Sequence, residues 1–245
     1  MKNKNIILIG GFGLIGNALI KNPIFKNYNL IILDKKKIKN FKSINADFYL
    51  TDITKKKSIL SNFKKIFSKY KKIDTVINLA YPKNNNWGKK FEQLNEKDIK
   101  DNLFLQLGSS ILISQVAIDF FLKQTYGSLI LTSSIFGVAA PKFHNYFKTK
   151  ISCPIEYSAS KSGIIAITRY LAKLYGNRNI RVNCISPGGI KNNQSKSFMK
   201  KYKKSCLTKG MLDPVDICGA IDFLISDKSK FINGQNLIID DGWSL

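Results

Sequence analysis

NIILIGGFGLIG (residues 5–16) begins as an isoleucine-rich apolar run and passes into three glycines spaced three apart, Gly10, Gly13 and Gly16. A short apolar run that ends in glycine reads as a buried strand, and LIGNALIKN after it reads as a helix. Glycines at such a junction let the backbone turn tightly and approach a pyrophosphate, whose charge then meets the helix N-terminus. Glycines also end strands for structural reasons alone, so the turn needs its context.

Five further apolar runs supply that context. NLIILD (29–34), DTVINLA (74–80), GSLILTSS (127–134), NIRVNCISPGG (179–189) and GQNLIIDDG (234–242) follow at intervals, with amphipathic stretches between them. Strands that alternate with helical segments imply βαβ units, hence an α/β fold with a doubly wound parallel sheet and helices on both faces. No linker, internal repeat or low-complexity stretch divides residues 1–245, and a single domain is expected. Asp34 closes the second strand. A carboxylate there accepts hydrogen bonds from the ribose hydroxyls of NAD and repels the 2′-phosphate of NADP. The alternative for Asp34 is an exposed turn residue. Lys35, Lys36 and Lys37 could pair with that phosphate, so NAD is expected and NADP is not excluded.

Composition removes other classes. Hydrophobic content of 44% and charged content of 23% over 245 residues are those of an ordinary globular chain. No run of about 18 apolar residues is evident, so no membrane span is expected. The basic, apolar start lacks a small-x-small cleavage site, which argues for a strand of the mature fold rather than a signal peptide. Cys153, Cys184, Cys206 and Cys218 have no metal-ligand spacing and His144 is the only histidine, so no protein-built metal site is expected, and a reduced, cytoplasmic protein is. The formal charge of +24 is almost all lysine, scattered along the chain, with arginine only at positions 169, 178 and 181. Nucleic-acid binders concentrate arginine and aromatic side chains on one face, so no nucleic-acid partner is expected, although a basic surface would attract an anionic small substrate.

EYSASKSG (156–163) puts Tyr157 four residues before Lys161, a spacing that brings the two together on one helix face. With the Asn78-Leu79-Ala80 segment, Asn102 in KDNLFLQLG and Ser134 in LTSSIFG before it, and NCISPGGI and NGQNLIIDDG after it, the chain resembles the short-chain dehydrogenase/reductase family over essentially its whole length. The resemblance implies a single Rossmann domain with substrate loops at about 139–155 and 190–212. It implies a catalytic set of Asn102, Ser134, Tyr157 and Lys161. It assigns the cofactor to Gly10, Phe12, Gly13, Leu14, Ile15 and Gly16 in the first turn, to Asp34, Asp52 and Ile53, to Asn78 and Ala80, to Tyr157 and Lys161, and to Pro187, Gly188 and Ile190. The glycine spacing is that of the family's extended members, whereas the length and C-terminal motifs are those of its compact members. Ile9 replaces the usual threonine, and the interval from Ser134 to Tyr157 is longer than usual.

A free phenol titrates near 10, too high for an efficient base at neutral pH. The charges of Lys161 and of an oxidised nicotinamide would lower it. By the resemblance, Tyr157 carries the proton, Lys161 also holds the nicotinamide ribose, Ser134 bonds the reacting oxygen and Asn102 holds a water. The inserted segment 141–154 carries Phe143, His144, Tyr146 and Phe147 among Lys142, Lys148 and Lys150 and reads either as a substrate contact or as a solvated loop. A narrower likeness, in APKF, KGMLDPVDI and INGQNLIIDDG, is to oxidoreductases of flagellin modification and surface polysaccharides. It implies an anionic sugar substrate, an amino-sugar phosphate or nucleotide sugar. A 3-oxoacyl-carrier-protein reductase and a non-catalytic dinucleotide-binding protein are the competing readings. Two long apolar helices, 105–123 and 156–176, need burial on more than one side, and with the resemblance they imply a homotetramer or homodimer.

Overall fold

Alternating side chains in β1 (Asn5–Ile9) set the layers of the molecule. Successive residues of a strand point to opposite faces, so Ile7 and Ile9 enter one core and Ile6 and Leu8 the other. The computed structural model describes residues 4–37, 46–147, 149 and 152–245. Seven strands form one parallel sheet in the order β3-β2-β1-β4-β5-β6-β7. The others are β2 (Asn29–Asp34), β3 (Asp47–Leu50), β4 (Thr75–Asn78), β5 (Gly127–Thr132), β6 (Ile180–Pro187) and β7 (Asn236–Ile239).

Helices cover both faces. On the side of Ile7 and Ile9 lie α2 (Lys56–Tyr70), α4 (Ser109–Gln124) and α5 (Ile155–Tyr175), which contribute Phe63, Phe121 and Ile164 to the core. On the side of Ile6 and Leu8 lie α1 (Leu14–Lys21) and α7 (Cys218–Ile225), with Leu19 and Ile221. A smaller cluster, Ile135, Phe198, Tyr202, Met211 and Trp243, seats α6 (Lys196–Lys203) over the ends of the strands. The doubly wound arrangement follows the sequence reading. The edge strand β3 does not: DFYL is half-exposed and alternates no buried run, so it lacks the signal that marks the central strands.

The α3 helix (Glu96–Leu103) continues through a π segment, Phe104–Gly108, into α4. This continuous helix, Glu96–Gln124, is long and apolar enough by length and composition to cross a membrane, with a mean hydropathy of 1.5 in a window that is 50% buried. The apolar-run reading passed over it because Gln106, Ser109, Ser110 and Ser114 interrupt the run. Ser110 and Ser114 satisfy themselves on carbonyls four residues back, at 2.8 and 2.7 Å. Val116, Ala117 and Phe121 pack into the core.

Strand order reverses between β1 and β4, so the connections leaving these neighbours diverge and open a crevice at their C-terminal ends. That crevice positions the site.

Candidate active site

At the end of β1, Gly10 turns the chain with φ +74°, and a Cβ there would stand 2.7 Å from the Ala80 backbone. At Gly16 a Cβ would stand 2.3 Å from the Gly11 carbonyl oxygen, so the start of α1 packs directly on the turn. Gly13 meets only its own loop, at 3.2 Å from the Gly10 oxygen, and lines the crevice with the first residues of α1. These helix amides have neither a side-chain cap nor an acidic residue in the first turn, which leaves the positive end of α1 facing the crevice. The Phe12 amide donates to the Asp34 carboxylate at 3.1 Å, fixing Asp34 beside the turn.

A cavity of about 970 Å³ runs from this turn across the strand ends. Its wall holds Phe12, Leu14, Ile15, Asp34, Asp52, Ile53, Ala80, Pro187, Gly188 and Ile190, and further along Ser134, Tyr157 and Lys161. Such a cleft fits a dinucleotide in extent and chemistry: amides for a pyrophosphate, a fixed carboxylate for a ribose, and a hydroxyl, a phenol and an ammonium at the far end. Lys35 and Lys36 line it as well, while Lys37 lies over the Phe48 ring at 6.0 Å. The Asp52 carboxylate accepts from the Thr54 amide and hydroxyl at 3.0 and 2.7 Å. The Thr54 hydroxyl is the main reason its carboxyl lies below the usual carboxylate range.

Tyr157 and Lys161 lie in the first two turns of α5. Lys161 donates to the Thr132 carbonyl at 2.9 Å, and its ammonium lies 5.3 Å from the centre of the Tyr157 ring. The Ser133 hydroxyl donates to the Lys161 carbonyl at 2.7 Å, holding α5 on the end of β5. The Ser134 hydroxyl accepts from the Phe136 amide at 3.2 Å, which leaves its proton to donate. Burial pushes the Tyr157 phenol up, a Ser134 hydrogen bond opposes this, and Cys153 adds to the rise. Burial brings Lys161 down to about 8, with Cys184 opposing. The protein's own groups therefore keep Tyr157 protonated. The expected lowering by Lys161 does not appear: loss of solvent is the largest influence on this phenol, and only the Ser134 hydrogen bond opposes it.

Two expected residues do not reach the cavity. Asn78 is buried, with its amide donating to the Ser110 hydroxyl at 3.1 Å and its oxygen accepting from the Ala80 amide at 3.2 Å. It fixes the exit of β4 from beneath. Asn102 is fully buried behind the site, donating to Glu156 at 3.0 Å. Both side chains bond to other parts of the protein, which spacing along the chain does not reveal.

The sequence reading missed the aromatic wall. Tyr81, Trp87 and Phe136 stand edge-on around Tyr157, with ring centres 5.5, 5.7 and 6.2 Å away. The available signal was the connection after Ala80, YPKNNNW, which places two aromatic residues in a long segment between β4 and α3. The insertion also reaches the site: Tyr146, Ser152, Cys153 and Pro154 line the cavity. Tyr146 packs on Phe136 and Phe198, whereas Phe143, His144 and Phe147 are exposed. Lys148 and Lys150 lie outside the described residues. Among the described residues, no group of three or more His, Cys, Asp or Glu side chains could hold a metal ion.

The family model described as enoyl-(acyl carrier protein) reductase matches residues 29–244. Post-translational flagellin modification protein A of Campylobacter coli is 44% identical, with both chains covered in full. A 3-oxoacyl-[acyl-carrier-protein] reductase of Thermotoga maritima is 28% identical over 80% of this chain and 76% of its own. A short-chain dehydrogenase of Leptospira borgpetersenii, solved with bound NAD+, superposes with a TM-score of 0.91 at 31% identity, covering 100% of this chain and 94% of that one. By its sheet, its sequence relatives and this structural likeness, the chain belongs to the short-chain dehydrogenase/reductase family and is an oxidoreductase.

Proposed function

We propose that this oxidoreductase uses NAD to interconvert a secondary alcohol and a ketone on an anionic sugar, an amino-sugar phosphate or nucleotide sugar destined for a surface glycan. The observation that carries the reading is one continuous cavity joining the glycine turn and Asp34 to Ser134, Tyr157 and Lys161. NAD, when bound, supplies the hydride acceptor or donor. The chain's own residues do the rest. Gly10, Gly13 and the first amides of α1 take the pyrophosphate, and Asp34 takes a ribose. Ser134 donates to the reacting oxygen, and Tyr157 moves the proton at its phenolic oxygen. Lys161, below its titration point of about 8 at neutral pH, keeps a positive charge beside that phenol. The rings of Tyr81, Trp87 and Phe136 keep bulk water from the proton.

Three features favour an anionic sugar. Aromatic faces of Tyr81, Phe136 and Tyr146 line the cavity near Tyr157 and offer surfaces for a sugar ring. The only carboxylates lining the described cavity, Asp34 and Asp52, lie on its β2–β3 side, whereas Lys83 lines it two residues beyond Tyr81. The likeness to flagellin modification protein A extends over the full chain at 44% identity. A cytoplasmic homotetramer completes the proposal.

Turnover with UDP-linked, GDP-linked and phosphorylated amino sugars tests this reading, with a 3-oxoacyl thioester as the competing substrate. We expect turnover of an anionic sugar, with Lys83→Met raising KM for it while leaving kcat nearly unchanged, because a binding charge acts on ground and transition states alike. Turnover confined to the thioester would favour the carrier-protein reaction instead.

A further inference from the structure

Three side chains one turn apart along the 96–124 helix hold the loop that carries the aromatic wall. Asp98 accepts from the Asn86 side chain at 2.8 Å and from Lys89 at 2.7 Å. Asn102 accepts from the Asn84 amide at 3.4 Å. Gln106 donates to the Pro82 carbonyl. Tyr81 immediately precedes the first of those anchors and Trp87 lies between the last two; their ring centres are 5.7 Å apart and both pack against Tyr157.

The middle member of this stripe also reaches the opposite helix. Asn102 donates to Glu156 at 3.0 Å, and Glu156 immediately precedes Tyr157. Glu156 is 2% exposed, and its second carboxylate oxygen has no partner among the described residues. Burying a carboxylate for one hydrogen bond is a poor source of stability, and an apolar side chain of similar size would be accommodated at less cost. The position explains it better. Helix α5 has Pro154 at its N-cap and no side-chain cap, so the turn carrying Tyr157 lacks the usual restraint against fraying.

We propose that Glu156 is a positioning residue for Tyr157. Its bond to Asn102 fixes the uncapped first turn of α5 and ties it to the loop of Tyr81 and Trp87, so that the proton carrier and its aromatic wall are set as one unit. The inference rests on Tyr157 carrying the proton, but part of its test does not depend on turnover.

Glu156→Leu removes the bond while keeping the volume, and Glu156→Gln keeps an acceptor for Asn102. The emission of Trp87 is isolated by subtracting the spectrum of the same variant carrying Trp87→Phe. In Glu156→Leu we expect Trp87 emission to shift to the red and lose protection from acrylamide. Turnover should fall on the order of 10²-fold, the cost of a small misplacement of a reacting group, with NAD affinity retained. Glu156→Gln should restore both signals. If Glu156→Leu does not fold, Asn102→Leu breaks the same bond from α3 and carries the same expectation. Wild-type Trp87 emission and turnover in a folded Leu variant would overturn the proposal. So would equal losses of turnover in the Leu and Gln variants with Trp87 unmoved, because the carboxylate would then act through its charge. Undiminished turnover in Tyr157→Phe would instead sink the reading of Tyr157 and leave the Trp87 result standing.

Discussion

Lys161 shows how one side chain is set by competing demands. Its ordinary value of 10.5 falls to about 8 because the ammonium is buried. Between those two values the unfolded chain binds a proton that the folded chain does not, so stability gains as pH rises from about 8 towards 10.5. Below pH 8 the folded state carries the full cost of the buried charge, on the order of 3 kcal/mol for such a shift. Lys161→Met is therefore expected to melt several degrees above the wild type at pH 7. That margin should shrink as the pH is raised through 8 to 10, and calorimetry across this range measures it. A margin that grows with pH would contradict the assignment. At the other end of the cavity, Asp34 is held by the Phe12 amide, with Lys35 and Lys36 beside it. Fluorescence titration is expected to show tighter binding of NAD than of NADP. Asp34→Ala should shift the preference towards NADP by relieving repulsion of the 2′-phosphate. Equal affinities in the wild type would mean that the lysines outweigh the carboxylate.

Elements that carry their own signal were legible in the sequence, and those that depend on distant partners were not. The central strands announce themselves because both faces of the sheet are covered, so their residues are apolar without interruption. Edge strand β3 pairs only with β2 and is half-exposed, which removes that signal. The glycine turn was readable because Gly10 and Gly16 leave no room for a Cβ. Tyr157 and Lys161 were readable because a helix brings residues four apart together. The bond from Asn102 to Glu156 joins positions 54 apart in the chain, and no local pattern specifies it. The same holds for Tyr81 and Trp87, whose loop takes its shape from Asp98, Asn102 and Gln106 on the facing helix. Motifs gave the candidate reacting groups, whereas tertiary contacts decide what surrounds them.

Across the whole molecule, apolar side chains remain outside on the helices that hold the site. Ile111 and Leu122 on α4, and Tyr170 and Leu174 on α5, are exposed although neighbouring residues of the same helices fill the core. Ile238 on the edge strand β7 and the terminal Leu245 are exposed on a second side. Two such faces, if each were closed by a two-fold axis, would generate a D₂ tetramer. Light scattering at micromolar concentration is expected to give the mass of four chains. A monomer would contradict this, and a dimer would leave one face unused. An assembled tetramer would brace the outer side of α5, whose inner side carries Tyr157 and Lys161. The central claim is that Tyr157 carries the proton in an NAD-linked oxidation or reduction of a sugar, and its most direct test is a comparison of Tyr157→Phe with the wild type. Turnover of the anionic sugar that the wild type uses is expected to fall about 10²–10⁴-fold, the usual worth of general acid–base catalysis, with NAD affinity and melting temperature nearly unchanged. Near-wild-type turnover in Tyr157→Phe would contradict the account.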